Sequence, residues 1–157
     1  MLYRRLLLPA ALALIVFSAF AQNKSSKPKA LAQPAPPRFE AAIGDTGSRS
    51  GGNITKEEFD ALAPQGVRLK DSGGAYIEGF TFTYGERHLY EDSVGNDKLV
   101  IDYLSEYCLG DSLSPIISKT LPYRTKPGDT AYYDGIQVRM PDGRAAAAKP
   151  MKFVIVR

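Results

Sequence analysis

The chain has 157 residues, is 44% hydrophobic, carries a formal charge of +3, and contains one histidine and one cysteine. A single cysteine closes no intrachain disulfide and builds no cysteine zinc site. So small a net charge gives no reason to expect nucleic acid or an acidic membrane as a partner.

Arg4 and Arg5 precede an apolar run of 15 residues, 6–20, which Pro9 interrupts. A membrane span needs about 20 residues. Ala19-Phe20-Ala21 supplies a small-x-small cleavage pattern. Residues 1–21 therefore read as a secretory signal peptide cut after Ala21. Without them 18 basic and 17 acidic residues remain, a net charge of +1. No cysteine lies near the cut, so lipid attachment there is excluded, and the mature chain has no stable membrane anchor. Export without a disulfide framework suits a bacterial periplasm or cell surface.

Residues 22–53 read as a disordered linker. They hold Pro28, Pro34, Pro36 and Pro37, end in a Ser/Gly-rich stretch, and offer few large apolar residues to offset ordering entropy. The folded domain is expected over 54–157, a size that makes one domain. Thr55-Lys56-Glu57-Glu58 opens it with a capping box, Thr55 taking the Glu58 N–H and Glu58 reaching back. Pro64 and Gly66 end that short helix.

Over 76–84, Tyr76, Glu78, Phe80, Phe82 and Tyr84 alternate with smaller residues, predicting a strand with an aromatic core face. Residues 98–109 repeat the pattern, with Leu99, Ile101, Tyr103, Tyr107 and Leu109 on one face. Asp102, Glu106 and Cys108 share the other face with Val100 and Leu104. A short strand near Leu89-Tyr90 and a turn at Val94-Gly95-Asn96-Asp97 lie between them. Ser114-Pro115 starts a second helix as N-cap and first position, and Pro122 is expected to stop it.

After the Pro127-Gly128-Asp129 turn a strand covers 130–140, with Tyr132, Ile136, Val138 and Met140 on one face. Pro141-Asp142-Gly143 makes a hairpin turn. The four alanines 145–148 are too few for a helix before Pro150 and read as the returning strand. The last strand, 151–156, faces Met151, Phe153 and Ile155 inward. The fold class is mainly β: one β-rich, sandwich-like domain with two short helices.

No constellation of catalytic, cofactor-binding or metal-ligating residues stands out. His88 sits in a charged stretch with no nucleophile motif beside it. Cys108 has acidic neighbours on its face, which oppose a thiolate. Asp102, Glu106, Asp129, Asp134 and Asp142 lack calcium-loop spacing, and the turn aspartates have backbone roles. Asn53-Ile54-Thr55 fits a glycosylation sequon but reads better as the helix start. Tyr132-Tyr133 puts rings on both faces of one strand. Tyr132 is then the core ring, and Tyr133 with Arg139 becomes the candidate protein-interaction pair.

Several fragments in series resemble a known family. They are Gln65-Gly66-Val67-Arg68; Gly79-Phe80-Thr81-Phe82-Thr83; Gly110-Asp111-Ser112-Leu113-Ser114; Lys126-Pro127-Gly128-Asp129 followed by Tyr132-Tyr133-Asp134-Gly135-Ile136; Pro141-Asp142-Gly143-Arg144; and Phe153-Val154-Ile155-Val156. Residues from about 53 to 157 are similar in order and spacing to the C-terminal periplasmic domain of the GldM/PorM family of Bacteroidetes gliding motility and type IX secretion. The family's full-length members carry a membrane helix and further periplasmic domains, for which this chain has only a signal peptide and linker. The alanine run 145–148 also replaces bulkier residues. The resemblance implies a stand-alone exported module that binds protein partners in the cell envelope, such as secretion or gliding components, with no cofactor and no catalysis. An envelope enzyme acting on glycan or peptide through carboxylates is the alternative, and a sensor or regulatory domain is a further one.

Overall fold

The structure, a computed structural model, describes residues 39–157. The expected signal peptide and the linker as far as residue 38 lie outside the described residues.

The linker reading fails over its last part. Strand β1 (Glu40–Ile43) and strand β2 (Gly52–Thr55) belong to the fold. Ala41, Ala42 and Ile43 are buried, so this short apolar run repays its ordering by burial after all. One of the glycines that look like floppy chain is needed for close approach. At Gly51, φ is +142° and the Lys152 carbonyl oxygen would sit 3.1 Å from any Cβ.

Thr55 caps helix α1 (Lys56–Leu62), its hydroxyl accepting the Glu58 N–H at 3.2 Å. The second half of the capping box is absent. The Glu58 carboxylate instead accepts from Arg49 Nε and Nη2 at 2.7 and 2.8 Å. A 3-10 turn over Ala63–Gln65 and Gly66, at φ +89°, close the helix. Strand β3 (Val67–Lys70) then pairs antiparallel with β1 as a two-stranded sheet.

The main sheet follows. Strand β4 (Tyr76–Glu91) is one continuous strand, with no break before Leu89-Tyr90. Strand β5 (Asp97–Leu109) returns antiparallel to it. Helix α2 (Pro115–Arg124) starts at the Ser114 cap but runs two residues past Pro122. So close to the C-terminus, proline removes one hydrogen bond and the last turn survives. The Pro122 carbonyl instead accepts from Lys56 Nζ at 2.9 Å. Strands β6 (Thr130–Arg139), β7 (Ala145–Ala147) and β8 (Met151–Val156) complete the sheet. The strand order is β2-β8-β6-β4-β5, with β7 beside β6. The hairpin turn before β7 is as expected, with the Gly143 N–H donating to Met140 O at 2.9 Å and φ +81° at Gly143. The fold is mainly β, as the strand patterns predict.

One face of the main sheet is the core. Phe59 of α1, Ile117 and Leu121 of α2, and Ile43 and Val67 of the small sheet all join it. At its centre the Tyr133 ring meets Phe82, Phe80 and Phe153, with centroids 5.1, 5.6 and 5.9 Å away. Burying each such ring contributes about 2 kcal/mol.

The inward position of Tyr133 reverses the sequence reading, and a pair of irregularities explains it. Thr81 faces Asp134 and Gly79 faces Gln137, so β6 carries one extra residue there. Gly135, at φ +58°, sits in that bulge. An extra residue inverts the alternation, so Tyr133 and Ile136 both point inward and Tyr132 outward. Between Gly79 and Ile77 the extra residue is on β4, which buries Ile77 and exposes Tyr76.

Candidate protein-interaction surface

β6 follows β4 only as far as Gly85, which faces Thr130. β4 and β5 continue alone, from the pair Glu86/Asp102 to Glu91/Asp97. This is a two-stranded arm projecting past the sheet, closed by a turn. There the Asp92 carboxylate accepts the Val94 and Asn96 N–H groups at 3.0 Å each, while Lys98 Nζ lies 3.1 Å from it. These donors, the Asn96 N–H foremost, hold the Asp92 carboxyl below its ordinary range.

The base of the arm is fixed by charge. Glu86, buried on the inner face, accepts from Arg124 Nη2 at 2.6 Å and Lys126 Nζ at 2.9 Å. Arg124, then Lys126, keep its carboxyl below the usual glutamate range against the opposing effect of desolvation. His88 Nε2 stands 3.7 Å from Glu86 and 3.6 Å from Asp102.

Beside this hub the Lys126-Pro127-Gly128-Asp129 turn is locked. Asp129, fully buried, accepts from the Tyr84 hydroxyl at 2.5 Å, the Arg87 N–H at 2.9 Å and the Lys126 N–H at 3.0 Å. Burial first, then the Asp129 carboxylate, pushes the Tyr84 phenol well up. Gly128 and Asp129 also bond the backbone of Ile155, tying β8 to the turn.

β5 is the edge of the sheet, and its outer face is apolar and exposed. Leu99, Ile101, Tyr103, Tyr107 and Leu109 line it, Leu109 being 81% exposed. Part of this strip has a local job. Tyr103 and Ile101 lie over Gly85, and Tyr107 lies over Gly79, where a Cβ would also meet the Cys108 carbonyl oxygen at 2.8 Å. Among the described residues no element covers the rest. On the inner face a groove of 430 Å³ runs between β5 and α2, lined by Leu104, Ile116, Thr120 and Tyr123, with Glu106 and Arg124 in its wall. A long, apolar edge strand is a template for association, and proteins ordinarily shorten, charge or cover such edges.

The residues expected to bind a partner are elsewhere. Tyr133 has 0% exposure and cannot touch a partner in the folded domain. Its phenol has no hydrogen-bond partner among the described residues, and burial pushes it up. Arg139 braces the β6–β7 hairpin, donating to Glu78 Oε1 at 2.9 Å and to the Gly143 carbonyl at 2.8 Å. Tyr133 and Arg139 therefore serve the core and a turn, on opposite faces. Cys108 is buried, and burial raises its thiol.

Of the carboxylates singled out in the sequence, Asp102, Glu106, Asp129 and Asp134 do not converge on one another, although Asp102 faces Glu86 across the arm with His88 near both. Asp129 is enclosed in its turn, and Asp134 faces Thr81 on the outer side of the sheet. Asp102 and Glu106 are four residues apart along β5, about 13 Å.

The β5 strip was visible in the sequence as alternation, but that pattern reads equally as a core face. Only the pairing with β4, which sets Cys108 beside Phe80 on the core side, turns the odd-numbered residues of β5 outward. No protein-family model matches the chain, and no curated protein matches it. What the geometry defines is a mainly β domain with a projecting two-stranded arm and an exposed apolar strip along β5.

Proposed function

We propose that this chain is an exported protein-binding module of the cell envelope, related to the GldM/PorM terminal domain and docking through the outer face of β5. The carrying observation is the uncovered strip Leu99, Ile101, Tyr103, Tyr107 and Leu109 on an edge strand. Contiguous exposed apolar surface of this kind, rich in tyrosine, marks interaction sites. The spacing of Asp102 and Glu106, about 13 Å along β5, and the enclosure of Asp129 give glycan or peptide hydrolysis through those residues no support, because two-carboxylate chemistry needs both groups at one bond.

The test is affinity capture of the mature chain from a Bacteroidetes envelope extract, with the Tyr107→Glu/Leu109→Glu variant beside it. The expected result is recovery of a gliding or type IX secretion component by the native chain and its loss with the variant. Recovery of none, or equal recovery by both, sinks the reading. Circular dichroism of the variant checks that the fold persists.

A further inference from the structure

We infer that the β5 edge pairs antiparallel with the same edge of a second copy, about a two-fold axis through Val100. This association uses the strand's backbone edge and not its outer face, so it stands or falls separately from the partner reading above.

An arm of two strands is marginal in water, and this one extends six residue pairs beyond the sheet, with no strand among the described residues pairing the outer edge of β5. A third strand would satisfy that edge and bury part of Leu99, Val100 and Ile101, each about half exposed. The charge pattern selects the copy and the register. In a symmetric antiparallel pair one residue faces itself, and inner-face residues meet inner-face residues. Centring on Lys98 or Asp102 sets like charges face to face, and centring on Leu104 sets Asp102 against Glu106. Of the centres from Lys98 to Leu104, only Val100 yields opposite-charge pairs and no like-charge ones. It sets Lys98 against the second copy's Asp102, twice over, on the inner face. On the outer face it sets Leu99 against Ile101, also twice.

Lys98 and Asp102 are both largely exposed, with side chains 63% and 71% accessible, so each can reach such a partner besides its present neighbour, Asp92 at 3.1 Å and His88 at 3.6 Å. The same register brings the second copy's hairpin tip, bearing exposed Val94, toward Glu106 and the mouth of the α2 groove. Seven residues a side bury on the order of 500 Å² per protomer, short of the roughly 800 Å² of a standard interface, so micromolar association is expected.

Sedimentation velocity on the mature chain from about 1 to about 300 µM covers that range. The native chain is expected to dimerise. Lys98→Asp and Asp102→Lys each weaken the dimer about tenfold or more, and the double swap recovers most of the loss. Lys98 also faces Asp92, so a second readout avoids that contact: Val100→Cys is expected to crosslink to a covalent dimer under mild oxidant, and Tyr103→Cys is not. A chain that stays monomeric throughout, with no Val100→Cys crosslink, overturns the inference. So does a dimer that neither charge substitution weakens.

Discussion

The Asp129 carboxylate is the clearest place to separate a structural reading from a chemical one. It lies in the Pro-Gly-Asp turn that an enzymatic account would draw on, yet three donors already occupy it: the Tyr84 hydroxyl and the Arg87 and Lys126 N–H groups. Hydrogen bonds to a charged group contribute about 1.5–3 kcal/mol each, and neighbours in one network are not additive. Asp129→Ala strands three donors, one a buried phenol, and is expected to cost about 4 kcal/mol. A domain this size has on the order of 10 kcal/mol of stability, so the variant should fold but melt far earlier. Asp129→Asn keeps one carbonyl acceptor and should lose about half as much. The assay is urea unfolding followed by circular dichroism, with Tyr84→Phe and the double variant completing a cycle. Tyr84→Phe alone should cost about 1.5 kcal/mol, and the pair distinctly less than the sum. A loss below about 1 kcal/mol for Asp129→Ala, with no coupling to Tyr84, would refute the argument that this carboxylate holds the turn.

Two further outcomes follow from buried polar groups. Tyr133→Phe should leave stability unchanged or raise it by about 1 kcal/mol, since it deletes a buried hydroxyl that no described residue pairs while keeping the ring contacts; a clear loss in the same unfolding assay would mean that the hydroxyl is bonded. Glu86 has a folded-state pKa below its ordinary value, so its stabilisation is complete above the ordinary glutamate pKa of about 4.3 and fades as pH falls through the lowered one. The stability gap between native chain and Glu86→Gln should therefore be constant from neutral pH to about pH 5 and shrink below about pH 4. A gap that widens on acidification would contradict the Arg124 and Lys126 pairing.

Local physics made much of the fold legible. The Thr55 and Ser114 caps, the Pro141-Asp142-Gly143 turn and the inward face of β8 depend on residues within a few positions of each other, and each appears as read. The mainly β class follows from the same alternation. Readings that reached across the chain fared worse. Ala41 to Ile43 is too short to signal a strand until β3 lies alongside and the core closes over it. Tyr133 failed as an interaction residue because one extra residue at Gly135 inverted the alternation on its side of β6, whereas Arg139, beyond the bulge, keeps the outward face it was assigned.

By itself the sequence determined the mainly β class, the caps and turns, and the apolar alternation along one face of β5. Propensity and periodicity act along the chain, so they can be read along it. Tertiary structure alone decided that this apolar face of β5 is not core. Burial depends on which strand lies next to which, and the order β2-β8-β6-β4-β5 leaves β5 at the edge with its outer face uncovered. The same alternation that buries Phe80, Phe82 and Tyr84 in β4 therefore displays Leu99, Ile101 and Tyr103 one strand away. The physical reason is that the helices pack on the face carrying Phe80, Phe82 and Tyr84, whereas Leu99, Ile101 and Tyr103 project from the opposite face, which no described element covers.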